Sequence, residues 1–312
     1  MKDNQNQHYV PQYYLKNFSK DGHIHVYDLK DKKPFTNSIS NVAFKKHFYN
    51  VDTNFFNKII ENEAFEEEDF IDKLINKHYE SILAAFFDSF NPTRERIINN
   101  DNRKTISVID FHSLVDFVLV QTYKNPKLQL FFEMMQEQIN KNKEIGYIKL
   151  DKIGRGIVIL LVLNELHYGR KTQIKKEIVE VFNPIIEEIK TWKELVTNSY
   201  KYVYWNLTDI DFLTSDFGMS FMRLSPEDNF TTIFIPINTK IGVLLVNKKS
   251  SIWNNRITNS SSILKIDNSE KRQIEVFNQA IIENANRFVF SLNGQFPEDI
   301  KSVTYKEWWN RK

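Results

Sequence analysis

Hydrophobic and polar positions change period along the chain, and each period predicts an element. Over residues 23–29, apolar Ile24 and Val26 alternate with polar neighbours and Leu29 extends the pattern, the two-residue period of a half-buried strand. Asp21-Gly22 supplies a turn before it, and the charged run from Lys30 to Lys33 ahead of Pro34 closes it. From Asn57 the period lengthens: Ile60, Ala64, Phe70, Leu74, Ile75, Ile82 and Phe86 predict a helix running toward Phe90, with acidic residues crowding its first turns. Val108–Asn140 repeats that spacing through Phe111, Val115, Val118, Leu119, Leu130, Phe131 and Met134, with Pro126 set to kink or interrupt it. Ile153–Tyr168 and Thr172–Thr197 predict two more helices, separated by Gly169-Arg170 as a C-cap.

After Asn198 the texture turns β-branched and aromatic, and Tyr202–Trp205, Ile210–Leu213, Thr231–Ile237 and Ile241–Val246 read as strands. Links such as Asn238-Thr239-Lys240 are too short for helical crossovers, so an antiparallel meander is expected. A last helix over Ser269–Phe290 is expected to cover one face of it. No repeat, low-complexity tract or linker interrupts the chain. The predicted fold class is α+β in a single domain, 1–312: a helix-rich part over 1–198 packed with the sheet and its covering helix over 199–312.

Composition supports a real core. Of 312 residues 41% are hydrophobic, and 25 Phe with 13 Tyr make that core aromatic. Net charge is +2, from 42 basic and 40 acidic residues, which excludes a strong overall field toward nucleic acid or membrane and leaves local patches open. Zero cysteines exclude disulfides, thiolate nucleophiles and cysteine metal sites and fit a reducing compartment. The polar start, Met1 to Gln7, lacks a secretory apolar stretch, and the longest apolar run, Ile157–Leu163, is far short of the roughly 20 residues that span a bilayer. A cytoplasmic protein with no membrane partner is expected.

The run His8-Tyr9-Val10-Pro11-Gln12 resembles the N-terminal signature of a bacterial family catalogued as a domain of unknown function. Asn41-Val42-Ala43 with Phe48-Tyr49, Gln121 to Pro126, Thr214-Ser215-Asp216, and Asn278 with Asn286-Arg287-Phe288-Val289 are similar to its later segments, so the resemblance spans nearly the whole chain. It implies kinship of structure and supplies no activity. The chain departs from the family's pattern at Lys124, where relatives usually carry arginine, and at Phe217-Gly218, where they commonly carry Asn-Pro. It departs again at Ile75, where the second of two spaced glutamates is expected after Glu68.

Several polar residues are candidates for chemistry, each with a bland alternative. His8 could act as a general base or metal ligand, since imidazole titrates near neutrality, or it could be a buried histidine tying the N-terminus to the core. Pro11 disfavours helical backbone at Val10, so His8 and Gln12 are expected on an extended or turned segment. Gln121 and Lys124, three apart on a helix, share a face that could hold an anion. An amide amid Phe117, Val118, Leu119 and Val120 needs a polar partner when buried. Thr214-Ser215-Asp216 sits at a strand end or turn: Asp216 could bind a cation or act as a base, and the same residue types also bond local backbone in turns.

Other motifs are weaker. The acidic run from Glu61 to Asp69 reads as a solvated helix start, within which Glu68 gains from the resemblance. Ser215 lacks a Gly-x-Ser-x-Gly elbow, no His-Glu-x-x-His occurs, and the 8 glycines form no phosphate or dinucleotide loop. Trp308-Trp309 with Tyr305 and Lys306 could stack bases, although terminal aromatics more often dock on a core or a partner.

Two functional readings follow. The first is a cytosolic hydrolase, a metal-assisted nuclease of toxin or phage-defence type acting on nucleic acid. In it Glu68 and Asp216 hold magnesium or manganese, His8 is the base, Lys124 steadies a phosphate, and Gln12, Gln121 and Ser215 complete the site. The second is a noncatalytic sensor or protein-binding module in which the same residues form a structural network, with near-neutral charge and abundant aromatics suited to a protein partner. The first requires His8, Gln12, Gln121 and Asp216 to converge, the N-terminal segment lying beside the strand that ends at Leu213 and the Gln121 helix walling a polar cleft.

Overall fold

A computed structural model of the chain describes residues 6–88, 111–126, 150–166, 172–222, 232–249, 261–298 and 300. In chain order its first elements are β1 (Asn6–His8), α1 (Gln12–Leu15), β2 (His23–Asp28), β3 (Lys33–Ser38), β4 (Phe44–Lys46), α2 (Thr53–Ile59) and α3 (Phe70–Ile75). Then come α4 (Phe111–Lys124), α5 (Leu150–Glu165), α6 (Lys176–Val181), α7 (Asn183–Thr197), β5 (Ser199–Asn206), β6 (Thr214–Ser215) and β7 (Ser220–Met222). The last are β8 (Thr232–Pro236), β9 (Ile241–Asn247), β10 (Ser261–Ile266), α8 (Arg272–Asn284) and β11 (Phe288–Ser291). The fold is mixed α+β. The predicted helix beyond Pro126, the Gly169-Arg170 cap and the aromatic tail lie outside the described residues.

Contacts divide the chain into two compact units, one of residues 1–9, 44–83 and 113–194, the other of 10–43, 84–112 and 195–312. In the first, β1 pairs antiparallel with β4. The helix expected to run unbroken from Asn57 is split. Asp52 caps α2 by accepting from the amides of Asn54 and Phe55, and the helix stops at Ile60, whose extended backbone bridges Ile174. The amide of Glu61 reaches the carbonyl of Gln173, and that of Lys175 reaches Ile59. These cross-chain bonds outcompete helical continuation, and the helix resumes only at Phe70. A second expected helix is also divided: α6 ends at Val181 with Phe182 as its C-cap, and α7 restarts with Pro184 in its first turn, where a missing N–H costs nothing. In α5, Gly156 lets Phe56 and Val51 approach so closely that a Cβ would lie 2.7 and 2.9 Å from their side chains.

The second unit holds, among the described residues, a five-stranded sheet in the order β10-β5-β9-β8-β7 and a four-stranded sheet in the order β3-β2-β11-β6. Strand β8 pairs antiparallel with β9 and β9 with β5, and Ser220–Met222, which the sequence pattern did not single out, adds β7 antiparallel to β8. Strand β10 pairs parallel with β5, which corrects the purely antiparallel meander. Ile210–Leu213 is not a strand: the amide of Phe212 bonds Thr239 and that of Leu213 bonds the side chain of Asn278. The β2–β3 hairpin lies in the part expected to be helix-rich, yet it pairs with β11 near the other end of the sequence.

The last helix ends at Asn284 instead of Phe290, and the chain turns into β11. Helix α8 packs its buried face, Ile274, Phe277 and Ile281, with Tyr204, Phe234 and Leu244 in one hydrophobic core. Phe277 stacks on Phe234 with centroids 4.2 Å apart and planes 7° from parallel.

Candidate functional site

In the first unit, strand alternation turns Gln7 and Tyr9 inward and leaves His8 half-buried, its ring 5.7 Å from that of Phe44. Gln7 accepts from the amide of Tyr49 at 2.5 Å and donates to Asn50 at 2.8 Å. The carbonyl of Tyr9 accepts from Gln121 Nε2 at 2.9 Å. This bond answers the requirement for a partner on the Gln121 amide, although Gln121 Oε1 has no hydrogen-bond partner among the described residues. The hydroxyl of buried Tyr49 has none either.

Lys124 shares the face of Gln121 on α4 and is wholly buried. Its Nζ lies 3.2 Å from Glu80 Oε1 and 5.6 Å from the centre of the Tyr49 ring. Glu80 closes a π-helical turn, Asn76–Glu80, that follows α3; such turns are frequent at functional sites. Asp72 on α3 belongs to the same electrostatic group. Burial pushes its carboxyl up to about 6, helped by Glu80 and Asp69 and opposed by the Lys124 charge. A second buried cation, Arg155 of α5, donates to the Phe48 carbonyl at 3.3 Å and lies 3.9 Å above the Phe48 ring. Burial raises the Tyr49 phenol well above its ordinary range, with the Arg155 charge pulling the other way. The group thus brings together a buried ammonium, a buried guanidinium and a carboxyl that burial pushes up to about 6.

In the second unit, Pro11 is extended and its carbonyl accepts the amides of Tyr14 and Leu15, opening α1 at Gln12, which is exposed. Of the two α1 residues that turn inward, Leu15 and Tyr14, the tyrosine is the polar one. Its hydroxyl lies 2.7 Å from Thr214 Oγ1, 2.9 Å from the Gly218 carbonyl and 2.8 Å from that of Pro236, and burial raises its phenol. With one proton to give, it donates toward these carbonyls and accepts from Thr214. Ser215 is fully buried and its Oγ accepts from the amide of Phe217, an arrangement suited to a turn.

Asp216 is fully buried as well. Its Oδ1 accepts from the amide of Asn286 at 2.7 Å and its Oδ2 from that of Arg287 at 2.8 Å. The carboxylate thereby holds the two N–H groups just past α8 and steers the chain into β11. Arg287 grips Asp28 through Nε at 3.0 Å and Nη2 at 2.6 Å. Burial works against ionisation of Asp28, but these bonds, with the amides of Asp31 and Lys30, hold its carboxyl below the ordinary range. Asn278 accepts from the Leu213 amide and donates to the Asp211 carbonyl.

His8, Gln121, Lys124 and Glu68 belong to the first unit, and Gln12, Ser215 and Asp216 to the second. Gln121 meets the segment next to His8 through the Tyr9 carbonyl, and the N-terminal segment reaches the Thr-Ser-Asp motif through Tyr14. Glu68 is exposed; its carbonyl accepts from the amide of Val51. No group of three or more His, Asp or Glu side chains that could hold a metal ion occurs among the described residues.

Sequence reasoning missed Gln7, Tyr14, Asp72, Glu80 and Arg155. Alternation about His8 carried the signal for Gln7, and a polar residue inside a helical apolar pattern carried it for Arg155. A family model described as a protein of unknown function (DUF4238) matches residues 6–295. No curated protein and no solved structure matches the chain.

Proposed function

Because the chain belongs to the family of proteins of unknown function DUF4238, no inherited activity guides the reading, and we propose that it is a noncatalytic recognition module. Its family-motif residues act as architecture in this reading. The observation that carries it is Asp216, whose two carboxylate oxygens are both engaged by backbone amides some 70 positions away in sequence. A carboxylate so placed is poorly suited to ligate a cation or take a proton from a substrate. Tyr14, Asn278 and Gln121 support the same view, each tying backbone across more than 60 positions. The setting we assign is cytoplasmic, in keeping with the lack of cysteine. No helix of the described residues is long and apolar enough to cross a membrane.

Thermal melting of Tyr14→Phe, Asp216→Asn and Asn278→Ala tests the reading. Each is expected to lower Tm. A panel in which these variants melt at or above the parent temperature would sink it, because functional sites commonly trade stability for activity.

A second reading keeps the hydrolase and moves its centre to the first unit. It is favoured by one observation, the wholly buried Lys124 ammonium 3.2 Å from Glu80 Oε1, whose charge also acts on Asp72, a carboxyl that burial pushes up to about 6. Asp72 then exchanges the proton and Lys124 steadies an anionic group such as a phosphate. Incubation with RNA and DNA in magnesium or manganese, with Asp72→Asn as control, tests it. Cleavage that Asp72→Asn abolishes would install this reading over the first.

A further inference from the structure

The second unit contains a cleft of about 560 Å³ between α8, the segment Ile210–Leu213 and the loop after β11. Its size falls among small-molecule sites, roughly 300–1,000 Å³. Leu213 and Phe296 give it apolar walls, and Phe296 is held in place against the ring of Tyr27, 5.6 Å away. Val276 adds an apolar wall that is 49% exposed, on a helix whose other large apolar residues are buried. Burying such a surface is favourable, at about 25 cal/mol per Å².

Most polar groups in the cleft are already committed to the fold. Asn278 is bonded to backbone on both sides, and the Asp211 carboxylate accepts from Lys240 Nζ at 2.8 Å and Asn293 Nδ2 at 3.1 Å. They stiffen the walls and leave little hydrogen-bonding capacity for a ligand. Arg272 and Glu275 are different. Both line the cleft, both are exposed, and among the described residues no ion pair joins them. Three apart on one helix, such side chains stand about 5–6 Å from each other at Cβ. The wall thus presents one cation and one anion side by side at the edge of an apolar pocket.

A ligand complementary to it has an apolar body and adjacent charges of opposite sign. A purely anionic head would meet Glu275, and a purely cationic one would meet Arg272. We propose that this cleft binds a free α-amino acid with a large apolar side chain, its carboxylate against Arg272, its ammonium against Glu275, and its side chain on Leu213, Val276 and Phe296. The proposal rests on the recognition reading above and names a ligand for it.

Isothermal titration of the full chain with L-phenylalanine and L-tryptophan tests the assignment. Saturable binding is expected, with N-acetyl-L-phenylalanine, which lacks the ammonium, and phenethylamine, which lacks the carboxylate, each about tenfold weaker. Val276→Glu should abolish binding with Tm unchanged, since the site is on the surface. Three results would each overturn the proposal: no saturable heat with either amino acid, equal binding of the acetylated or decarboxylated analogue, or undiminished binding by a folded Val276→Glu protein. None of them would alter the melting panel above, so failure here is distinct from failure of the architectural reading.

Discussion

Replacing Asp216 by Asn keeps the shape of the side chain and changes what its second atom can do. In the parent, two oxygens face two amides, those of Asn286 and Arg287, at 2.7 and 2.8 Å in a fully buried site. Asn supplies one oxygen and one NH2, so one amide keeps a neutral acceptor and the other faces a donor. The bond that is lost was charge-assisted, worth about 2 kcal/mol, and the stranded buried N–H adds about 1 kcal/mol. A destabilisation of about 3 kcal/mol follows. For a chain of 312 residues, with an unfolding entropy of roughly 2.1 cal/mol/K per residue, that corresponds to a fall in Tm of roughly 4–6 °C. Circular dichroism melts and urea titrations measure it, with a lower urea midpoint and an unchanged m-value as the companion signature. A Tm within about 1 °C of the parent would refute the claim that this carboxylate holds the turn from α8 into β11.

Three further perturbations bear on the first unit. Gly156→Ala places a methyl 2.7 Å from buried Phe56 and should cost about 1–3 kcal/mol in urea unfolding; a stabilised variant would show that α5 and Phe56 are not tightly packed. Burial pushes the Asp72 carboxyl up to about 6 in the folded chain, so the contribution of this one group to stability is largest in acid and falls as pH rises from about 4 to about 6. Asp72→Asn removes that penalty and should stabilise by about 1 kcal/mol at pH 8 and by nothing at pH 3.5, and equal effects at both pH values would contradict the assignment. Lys124→Met strands Glu80, whose side chain is 25% exposed, and should cost about 2 kcal/mol. Adding Glu80→Gln should recover about half of that, and strict additivity in the double-mutant cycle would mean the pair is uncoupled.

Much of the local structure was legible in the sequence. The alternation of Ile24 and Val26 gave β2, the spacing of Phe111 to Val118 gave α4, and the short Asn238-Thr239-Lys240 link gave the β8–β9 hairpin. The Gln121–Lys124 face and the need of Gln121 for a polar partner were legible too, because helical periodicity and the cost of burying an amide are properties of a single segment. What escaped was decided by partners far away in the chain. The helix through Ile60 broke because Ile59, Ile60 and Glu61 bond residues 173–175, and the last helix ended early because Asp216 holds the amides of Asn286 and Arg287 ahead of β11. Strand β10 lies parallel to β5, a direction that side-chain alternation alone does not encode. The candidate site divides the same way. The sequence identified polar residues that had to be satisfied, whereas only the tertiary structure showed which atoms satisfy them. A buried carboxylate does not encode its partner: Asp216 is held by two backbone amides, whereas burial pushes the Asp72 carboxyl up to about 6 against the pull of the Lys124 charge, because the neighbours set the free energy of its charge.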